Sequence, residues 1–266
     1  MVILIIGSMA FLITLANSQH NGTKSTPPNK QHPTPHINTT TTTRTQNMAQ
    51  TPMTEQNPYG NHNGILVLNN ALNQQDQQMQ WDELPNMCSF GTDGYRVVAG
   101  PQSQGFTVCN AMASNYANFV YQVQMTFTKA TSTGGSGGLL FHGNNTNKQF
   151  YFFEIFTTGN YAMYRCPGTN GAECPQLSSS TTTGRGPIPS FEANLNHSNT
   201  IALLANGNTF SIYVNNQLVV DPIVDAVADP TYSHGRIGMM ARQNNASAVT
   251  DVLFNNIKIW KMQMSS

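Results

Sequence analysis

The sequence feature that most constrains the fold is a series of short apolar segments separated by turn residues. Between residues 137 and 166 these segments are GGLLFH, KQFYFFEIF and NYAMYRC, with Gly and Asn residues between them. Farther on, TIALLANGNTFSIYVNNQLVVD repeats the pattern with Asn-Gly and Asn-Asn pairs, which are typical of tight hairpin turns. Strands that are joined by such short turns pair antiparallel. The sequence therefore predicts an antiparallel β-sandwich.

The alternation of side chains predicts which face of each strand is buried. In residues 119–128 every second side chain is large and apolar, and most of the intervening ones are polar. The apolar set is Phe119, Tyr121, Val123, Met125 and Phe127. The segment TFSIYV shows the same split, with Phe210 and Ile212 on its apolar face. One face of these strands is therefore expected to be core and the other polar.

Two departures from regular strands are also predicted. In VLFNNIKIW the alternation slips between Phe254 and Ile257, which indicates a bulge or bend at Asn255-Asn256. No stretch combines sustained helical periodicity with capping residues, so helices are expected only as short turns, such as one near residues 225–230.

Composition divides the chain into three parts. Residues 1–18 are almost continuously apolar and predict either a signal peptide or a membrane anchor; both remain open because no Lys or Arg precedes the apolar run. Residues 19–63 are rich in Thr, Asn, Pro and Gln and hold too little apolar surface to offset the entropy of ordering, which predicts a disordered stalk. Residues 64–262 are then expected to form one sandwich domain, since all-β sandwiches often use about 200 residues.

The charge of the chain limits its partners. Only 9% of the residues are charged and the formal net charge is zero. A nucleic-acid-binding protein needs a basic footprint, so this class is disfavoured. A neutral, hydroxylated or amide-rich ligand is the expected partner, and membrane contact is expected only through residues 1–18 if they are not cleaved.

The four cysteines fit an oxidising compartment, so the protein is expected to be secreted or extracytoplasmic, with a membrane tether as an alternative. Cys166 and Cys174 bracket the turn-rich segment PGTNGAE, while Cys88 and Cys109 flank two predicted strands. Of the three possible connectivities we predict Cys88–Cys109 and Cys166–Cys174. Zinc is disfavoured because no Cys-x-x-Cys spacing occurs.

Several segments resemble the concanavalin A-like lectin/glucanase superfamily, and laminin-G-like sandwiches in particular. GGLLFH followed by YFFEIFTTGNYAMYR is similar to the Gly-Leu-Leu-aromatic strand, second strand and turn of these proteins. IALLANGNTFSIYVNNQLVVD resembles their later hairpin, and GRIGMMAR with DVLFNNIKIW resembles their closing pair. These segments are also similar to those of bacterial sugar-binding modules and of 3-keto-disaccharide hydrolase-type domains.

The resemblance implies an all-β, two-sheet antiparallel jelly-roll β-sandwich over residues 64–262, preceded by the disordered stalk. It also implies a lectin-like domain that binds glycans on a concave sheet or on loops at its rim, with structural calcium in some members. His142 occupies the position where the family usually has a basic residue after its Gly-Leu-Leu-aromatic strand.

Sugar sites combine an aromatic platform with amide or charged groups that bind hydroxyls. The candidate ligand-binding residues are Gln122, Gln124, His142, Glu154, Arg165 and Tyr213. Among them Glu154 interrupts an apolar strand, where an unpaired carboxylate would be costly. It is therefore expected to form a structural ion pair with Arg165 or His142, to contact the ligand, or to act in catalysis.

The sequence favours binding over catalysis, and no catalytic residues are assigned. Glycosidases need two carboxyl groups, and the Glu-x-Asp-x-x-Glu pattern of the glucanase branch is absent. Three functions are carried forward: a non-catalytic glycan-binding domain, a glycoside- or keto-disaccharide-hydrolase-type enzyme, and a laminin-G-like protein-interaction module.

No cofactor is expected, although loop carboxylates leave room for a structural calcium ion, which oxygen ligands bind. The candidate ligands are Asp76, Asp82, Glu83, Asp221, Asp225 and Asp229.

Overall fold

The computed structural model describes residues 57–60, 64–131, 134–144, 148–168, 174–177, 184–226, 229–245 and 247–262. All of these belong to one compact unit, residues 49–266. The predicted signal peptide or anchor, and the stalk apart from residues 57–60, lie outside the described residues. In the part of the chain that is described, no helix has the length and apolar character needed to cross a membrane.

The described residues form fourteen strands and two single-turn 3-10 helices. The strands are β1 Gly64–Asn70, β2 Cys88–Gly91, β3 Gly94–Ala99, β4 Phe106–Asn110, β5 Phe119–Lys129, β6 Gly135–Asn144, β7 Gln149–Phe156, β8 Asn160–Pro167, β9 Arg185–Pro187, β10 Ser198–Asn206, β11 Thr209–Val214, β12 Gln217–Val224, β13 Arg236–Gln243 and β14 Thr250–Met262. The helical turns are Pro101–Ser103 and Pro230–Tyr232.

Two antiparallel sheets contain all the strands. The first, here called sheet I, has the order β12-β11-β10-β5-β14-β3-β2, and β1 also pairs with β14. The second, sheet II, has the order β4-β13-β6-β7-β8-β9. The predicted all-β fold class with two antiparallel sheets is confirmed.

The long strand β14 joins three neighbours in sheet I. One edge pairs with β5, while the other pairs with β3 at its start and with β1 at its end. The predicted bulge lies between these two partners: the register with β5 shifts between Asn255 and Lys258, and Asn256 has a φ of 51°. Asparagine tolerates this left-handed conformation better than most residues.

The core lies between the two sheets. The apolar face predicted for residues 119–128 is buried on β5, and Phe210 on β11 is likewise buried. Their partners from sheet II include Tyr151 and Phe153 on β7. These aromatic side chains bury much of the apolar surface that stabilises the sandwich.

Both predicted disulfides are confirmed. Cys88 on β2 bonds to Cys109 on β4, so this bond joins sheet I to sheet II. Cys166 at the end of β8 bonds to Cys174. Two disulfides indicate a protein that folds outside the cytoplasm.

Candidate functional site

The six candidate ligand residues do not form one site. Gln122, Gln124 and Tyr213 lie on the outer face of sheet I, whereas Glu154 lies on the outer face of sheet II. Arg165 and His142 have buried partners elsewhere. The candidates are therefore divided between two faces and the interior of the sandwich.

The outer face of sheet I is covered by the chain itself. Residues 57–60, here called the Tyr59 segment, place a tyrosine with 3% exposure against Tyr213, with ring centroids 5.0 Å apart. The Tyr59 hydroxyl lies 2.8 Å from Oε1 of Gln122 and 3.2 Å from Oδ1 of Asn216. Burial, with a contribution from Tyr213, raises the pKa of Tyr59 to about 12. Gln122 and Tyr213 therefore contact protein instead of an open groove.

The neighbouring amide of Gln124 also has a partner on this face. Its Oε1 accepts a hydrogen bond of 2.7 Å from Nδ2 of Asn256, the residue at the bulge of β14. This contact stabilises the bulge, and it occupies an acceptor that the sequence analysis assigned to a ligand.

Arg165 links the two sheets near one end of the sandwich. Its guanidinium lies 3.0 Å from Oδ2 of Asp225, and the Tyr151 hydroxyl donates to the same oxygen over 2.7 Å. Asp225 is buried and directly follows β12 of sheet I. A buried carboxylate with a cation and a hydroxyl donor is compensated. Arg165 and Asp225 therefore form a buried ion pair that joins the two sheets.

His142 is enclosed at a bulge in β6. It has a φ of 49° and 0% exposure, and its Nε2 lies 2.9 Å from the carbonyl oxygen of Ala117. Nδ1 forms no hydrogen bond with the described residues. Burial lowers the pKa of His142 to about 4, although the backbone of Ala117 and Tyr232 opposes this shift. Burial therefore favours the neutral form of the ring, which is enclosed by the protein.

Glu154 is the one candidate whose surroundings suggest a site. Its side chain has 0% exposure, and Oε1 lies 3.2 Å from Nη1 of Arg242. Ser136 donates a hydrogen bond of 2.7 Å to the other oxygen. Burial raises the pKa of Glu154 above its ordinary value. Arg242, Ser136 and Tyr164 oppose this shift but do not cancel it. The expected ion pair exists, but the predicted partners Arg165 and His142 are wrong.

The register of sheet II explains how Arg242 reaches Glu154. Gly138 on β6 lies directly beside Glu154, and Ser136 on β6 lies beside Arg242 on β13. Because Gly138 has no side chain, the guanidinium can extend across β6 to the carboxylate. A Cβ at Gly138 would also lie 1.9 Å from the carbonyl oxygen of Phe153, so only glycine fits there.

Arg242 is held above Glu154 by aromatic rings. Its guanidinium carbon lies 5.2 Å from the ring centroid of Phe106, 5.3 Å from that of Phe152 and 5.9 Å from that of Tyr164. The side chain retains 28% exposure, whereas Glu154 has none. Arg242 therefore presents a fixed cation to solvent, and Glu154 fixes its position.

A cleft of about 530 Å³, here called the sheet cleft, lies on the same face beside this cluster. It combines aromatic rings with amide groups and one ammonium group. Its lining residues are Phe106, Val108, Asn110, Leu140, Gly143, Asn144, Lys148, Gln149 and Phe150. A second cleft of about 440 Å³, the rim cleft, shares Gly143 and Asn144 with it. The two clefts are therefore contiguous.

The sequence analysis named none of the residues that line these clefts. Asn110 and Phe106 come from β4, Gln149 and Phe150 from β7, and β13 and β6 lie between these two strands. Their proximity depends on the order of strands in sheet II. The available signal was local: Gln149 and Phe150 begin the apolar strand that contains Glu154.

A sequence profile of the 3-keto-alpha-glucoside-1,2-lyase-like domain matches residues 67–260, well over half of the chain. The protein belongs to this family. No curated protein matches the sequence significantly.

Solved structures share the sandwich of this lyase-like domain. The carbohydrate-binding module CBM66 from Bacillus subtilis is 17% identical, with a TM-score of 0.53, over 70% of this chain and 99% of that one. The β-glucanase of Bacillus licheniformis is 14% identical, with a TM-score of 0.52, over 74% and 98%. The catalytic domain of a laminarinase from Thermotoga petrophila is 9% identical, with a TM-score of 0.54, over 76% and 99%. At these identities the likeness establishes the fold, a jelly-roll sandwich.

Neither cleft is lined by a described Asp or Glu. Asp82 contacts Asn110 on β4, which is three strands from β7.

The described residues also contain no group of three or more His, Cys, Asp or Glu side chains that could hold a metal ion. Of the suggested calcium ligands, Asp82 binds the backbone and side-chain amides of Asn110, and Asp229 caps the turn Pro230–Tyr232. The side chain of Asp221 lies outside the described residues.

Proposed function

We propose that this domain binds a carbohydrate in the sheet cleft and acts as a non-catalytic, lectin-like module outside the cytoplasm. The observation that carries the proposal is the composition of the cleft. Phe106 and Phe150 supply aromatic surface, while Asn110, Asn144 and Gln149 supply amides. Sugars present apolar ring faces and a fringe of hydroxyl groups, so a site that offers both kinds of contact is complementary to them.

The burial of Glu154 supports binding over catalysis. A carboxylate with no exposed surface cannot take a proton from a bound ligand without movement of the side chains that cover it. Its hydrogen bonds with Arg242 and Ser136 position the exposed part of Arg242 beside Phe106. In this proposal Arg242 contacts the ligand, and Glu154 is a positioning residue.

The fold neighbours add support of a general kind. The three compared structures are a carbohydrate-binding module and two glucanases, so this sandwich is compatible with saccharide ligands. The family description names a 3-keto-α-glucoside, a sugar derivative, as the substrate of related lyases. The fold neighbours and the family description both support a saccharide as the ligand, without naming a particular sugar.

The binding function is tested with a glycan array and titration calorimetry on the purified domain. For a glycan that binds, Phe150→Ala is expected to weaken affinity about tenfold, because an aromatic contact contributes about 1.4 kcal/mol. Gln124→Ala on the outer face of sheet I is the matched control and should bind like wild type. Loss of affinity in the control alone, or no binding to any neutral or acidic glycan, would contradict the proposal.

A second candidate function is an enzyme of the lyase or hydrolase type, as the family description suggests. The raised pKa of Glu154, which burial causes, favours it, because carboxyl groups with a pKa shifted by burial are common among catalytic acids and bases. Elimination next to a ketone needs a base for the acidic proton and a cation for the developing enolate. Turnover of a 3-keto-disaccharide that disappears in Glu154→Gln, with folding intact, would establish this candidate and displace the first.

A further inference from the structure

The rim cleft contains an arginine without an acidic partner. Arg236, the first residue of β13, lies in this cleft with Ser114, Asn115 and Thr231. Its Nη1 lies 3.5 Å from Sδ of Met112, and it forms no ion pair with a carboxylate of the described residues. The guanidinium is therefore available to a ligand.

The other described arginines have partners, which makes Arg236 distinctive. Arg96 pairs with Asp251, Arg165 with Asp225, and Arg242 with Glu154. Arg185 forms a hydrogen bond with the Tyr164 side chain. In a chain with so few charges, an unpaired arginine in a cleft of about 440 Å³ is an available anion-binding group.

A second cation lies in the adjoining sheet cleft. Lys148 lines that cleft and, within the described residues, forms no ion pair. The two clefts meet at Gly143 and Asn144, so one elongated ligand can contact both side chains. No described carboxylate lines either cleft, and the cationic groups are therefore unopposed at the contact surface.

Nearby carboxylates limit the distance over which the positive charges of Arg236 and Lys148 can attract an anion. Asp82 binds the Asn110 amide at the edge of the sheet cleft, and Asp229 accepts hydrogen bonds from Thr231 behind the rim cleft. These charges partly cancel the field of Arg236 and Lys148 at a distance. A preference for anionic ligands must therefore come from direct contact. In such a contact the N–H groups of a guanidinium match the oxygens of a carboxylate or sulfate in geometry.

We propose that the ligand is an acidic oligosaccharide, held by its sugar rings in the sheet cleft and by an anionic substituent at Arg236 in the rim cleft. This inference rests on the proposed binding function and specifies its ligand class. The anionic group is the carboxylate of a uronic acid or a sulfate ester, since each offers two anionic oxygens that can accept hydrogen bonds from two N–H groups of a guanidinium.

The test measures the affinity of the domain for matched pairs of oligosaccharides. Each uronic-acid oligomer is paired with its methyl ester, and each sulfated oligomer with its desulfated form, at low and at physiological salt. At least one acidic member is expected to bind about tenfold more tightly than its neutral match, consistent with one charge-assisted pair. The pair that shows the preference distinguishes carboxylate from sulfate.

Variants assign the preference to the rim cleft. Arg236→Gln should abolish the preference while neutral oligosaccharides bind as before, and Lys148→Gln should reduce it. Lys129→Gln, which removes the same charge from the end of β5 in sheet I, should leave it unchanged. Circular dichroism and thermal unfolding show that each variant is folded.

The outcomes separate the two proposals. Equal affinity for acidic and neutral members across the panel, or a preference that survives in Arg236→Gln, overturns the acidic-ligand inference while the binding function stands. Absence of binding to every saccharide, acidic or neutral, overturns both.

Discussion

Replacing Arg242 with glutamine should destabilise the domain in a strongly pH-dependent way. The substitution leaves Glu154 buried without its cationic partner, while Ser136 still donates a hydrogen bond. Breaking a buried pair in this way costs roughly 3–5 kcal/mol. We expect about 3 kcal/mol at pH 7.5, the lower end of that range, because the side chain of Arg242 is 28% exposed and water can replace part of it.

The direction of the pH dependence follows from the raised pKa of Glu154. In the unfolded chain the carboxyl titrates near its ordinary value of 4.5, and in the folded protein burial raises the pKa. Loss of Arg242 raises it further, because the guanidinium is the strongest of the contributions that lower it. Above pH 4.5 the Glu154 carboxyl of the folded variant keeps a proton that the unfolded chain releases, so the free energy of unfolding falls as the pH rises. Below that pH both states are protonated, and the electrostatic penalty vanishes.

Urea unfolding of wild type and variants at pH 4 and pH 7.5 measures this effect. Arg242→Lys is the charge-conserving control and should lose less stability at pH 7.5. The double substitution Glu154→Gln with Arg242→Gln removes the carboxylate and should show no additional pH dependence. If Arg242→Gln loses the same stability at both pH values, the penalty arises from lost stacking on Phe106 and Phe152, and the electrostatic reasoning is refuted.

Other predictions concern the disulfide, the core and the Tyr59 segment. Replacing Cys166 and Cys174 together by serine should lower the free energy of unfolding by about 2.5 kcal/mol, the chain-entropy value for their sequence separation of 8 residues; no change in urea midpoint would contradict it. Phe210→Ala should lower the free energy of unfolding by about 3–5 kcal/mol, because the ring is fully buried between the sheets. Wild-type stability of this variant in calorimetry would refute that placement. Tyr59→Ala should lower the free energy of unfolding by about 1–2 kcal/mol and increase amide exchange in residues 120–124, since the ring covers Gln122; unchanged exchange would show that the segment does not protect this face.

Much of the fold could be predicted because its determinants are local. The alternation from Phe119 to Phe127 reports burial directly, since side chains two residues apart share a face. The bulge at Asn256 was visible as a break in the alternation of apolar and polar residues along β14. The disulfides followed from turn-rich spacing between cysteines.

The candidate site was less predictable because it depends on contacts between strands distant in sequence. Glu154 was identified from its cost in an apolar strand, but its partner Arg242 lies 88 residues away, on β13, and reaches it across β6. The order β4-β13-β6-β7 that creates the sheet cleft is likewise absent from any local pattern.

The candidates on sheet I failed for a different reason. Gln122 and Tyr213 have the residue types and strand positions expected of a sugar site, but the Tyr59 segment covers them. Residues 57–60 fall in a stretch whose composition is typical of disorder, so nothing in the strands themselves indicated a cover. Burial of polar side chains by a chain segment from outside the sheet cannot be inferred from strand periodicity.

Hydrogen exchange with mass spectrometry, with and without a bound glycan, tests the central claim most directly. Binding in the sheet cleft should slow exchange in peptides covering residues 106–110, 140–144 and 148–150, which supply the lining residues. Peptides covering residues 120–126 and 209–214 in sheet I should not change. Protection confined to the sheet I peptides would contradict the account and would place the ligand beneath the Tyr59 segment instead.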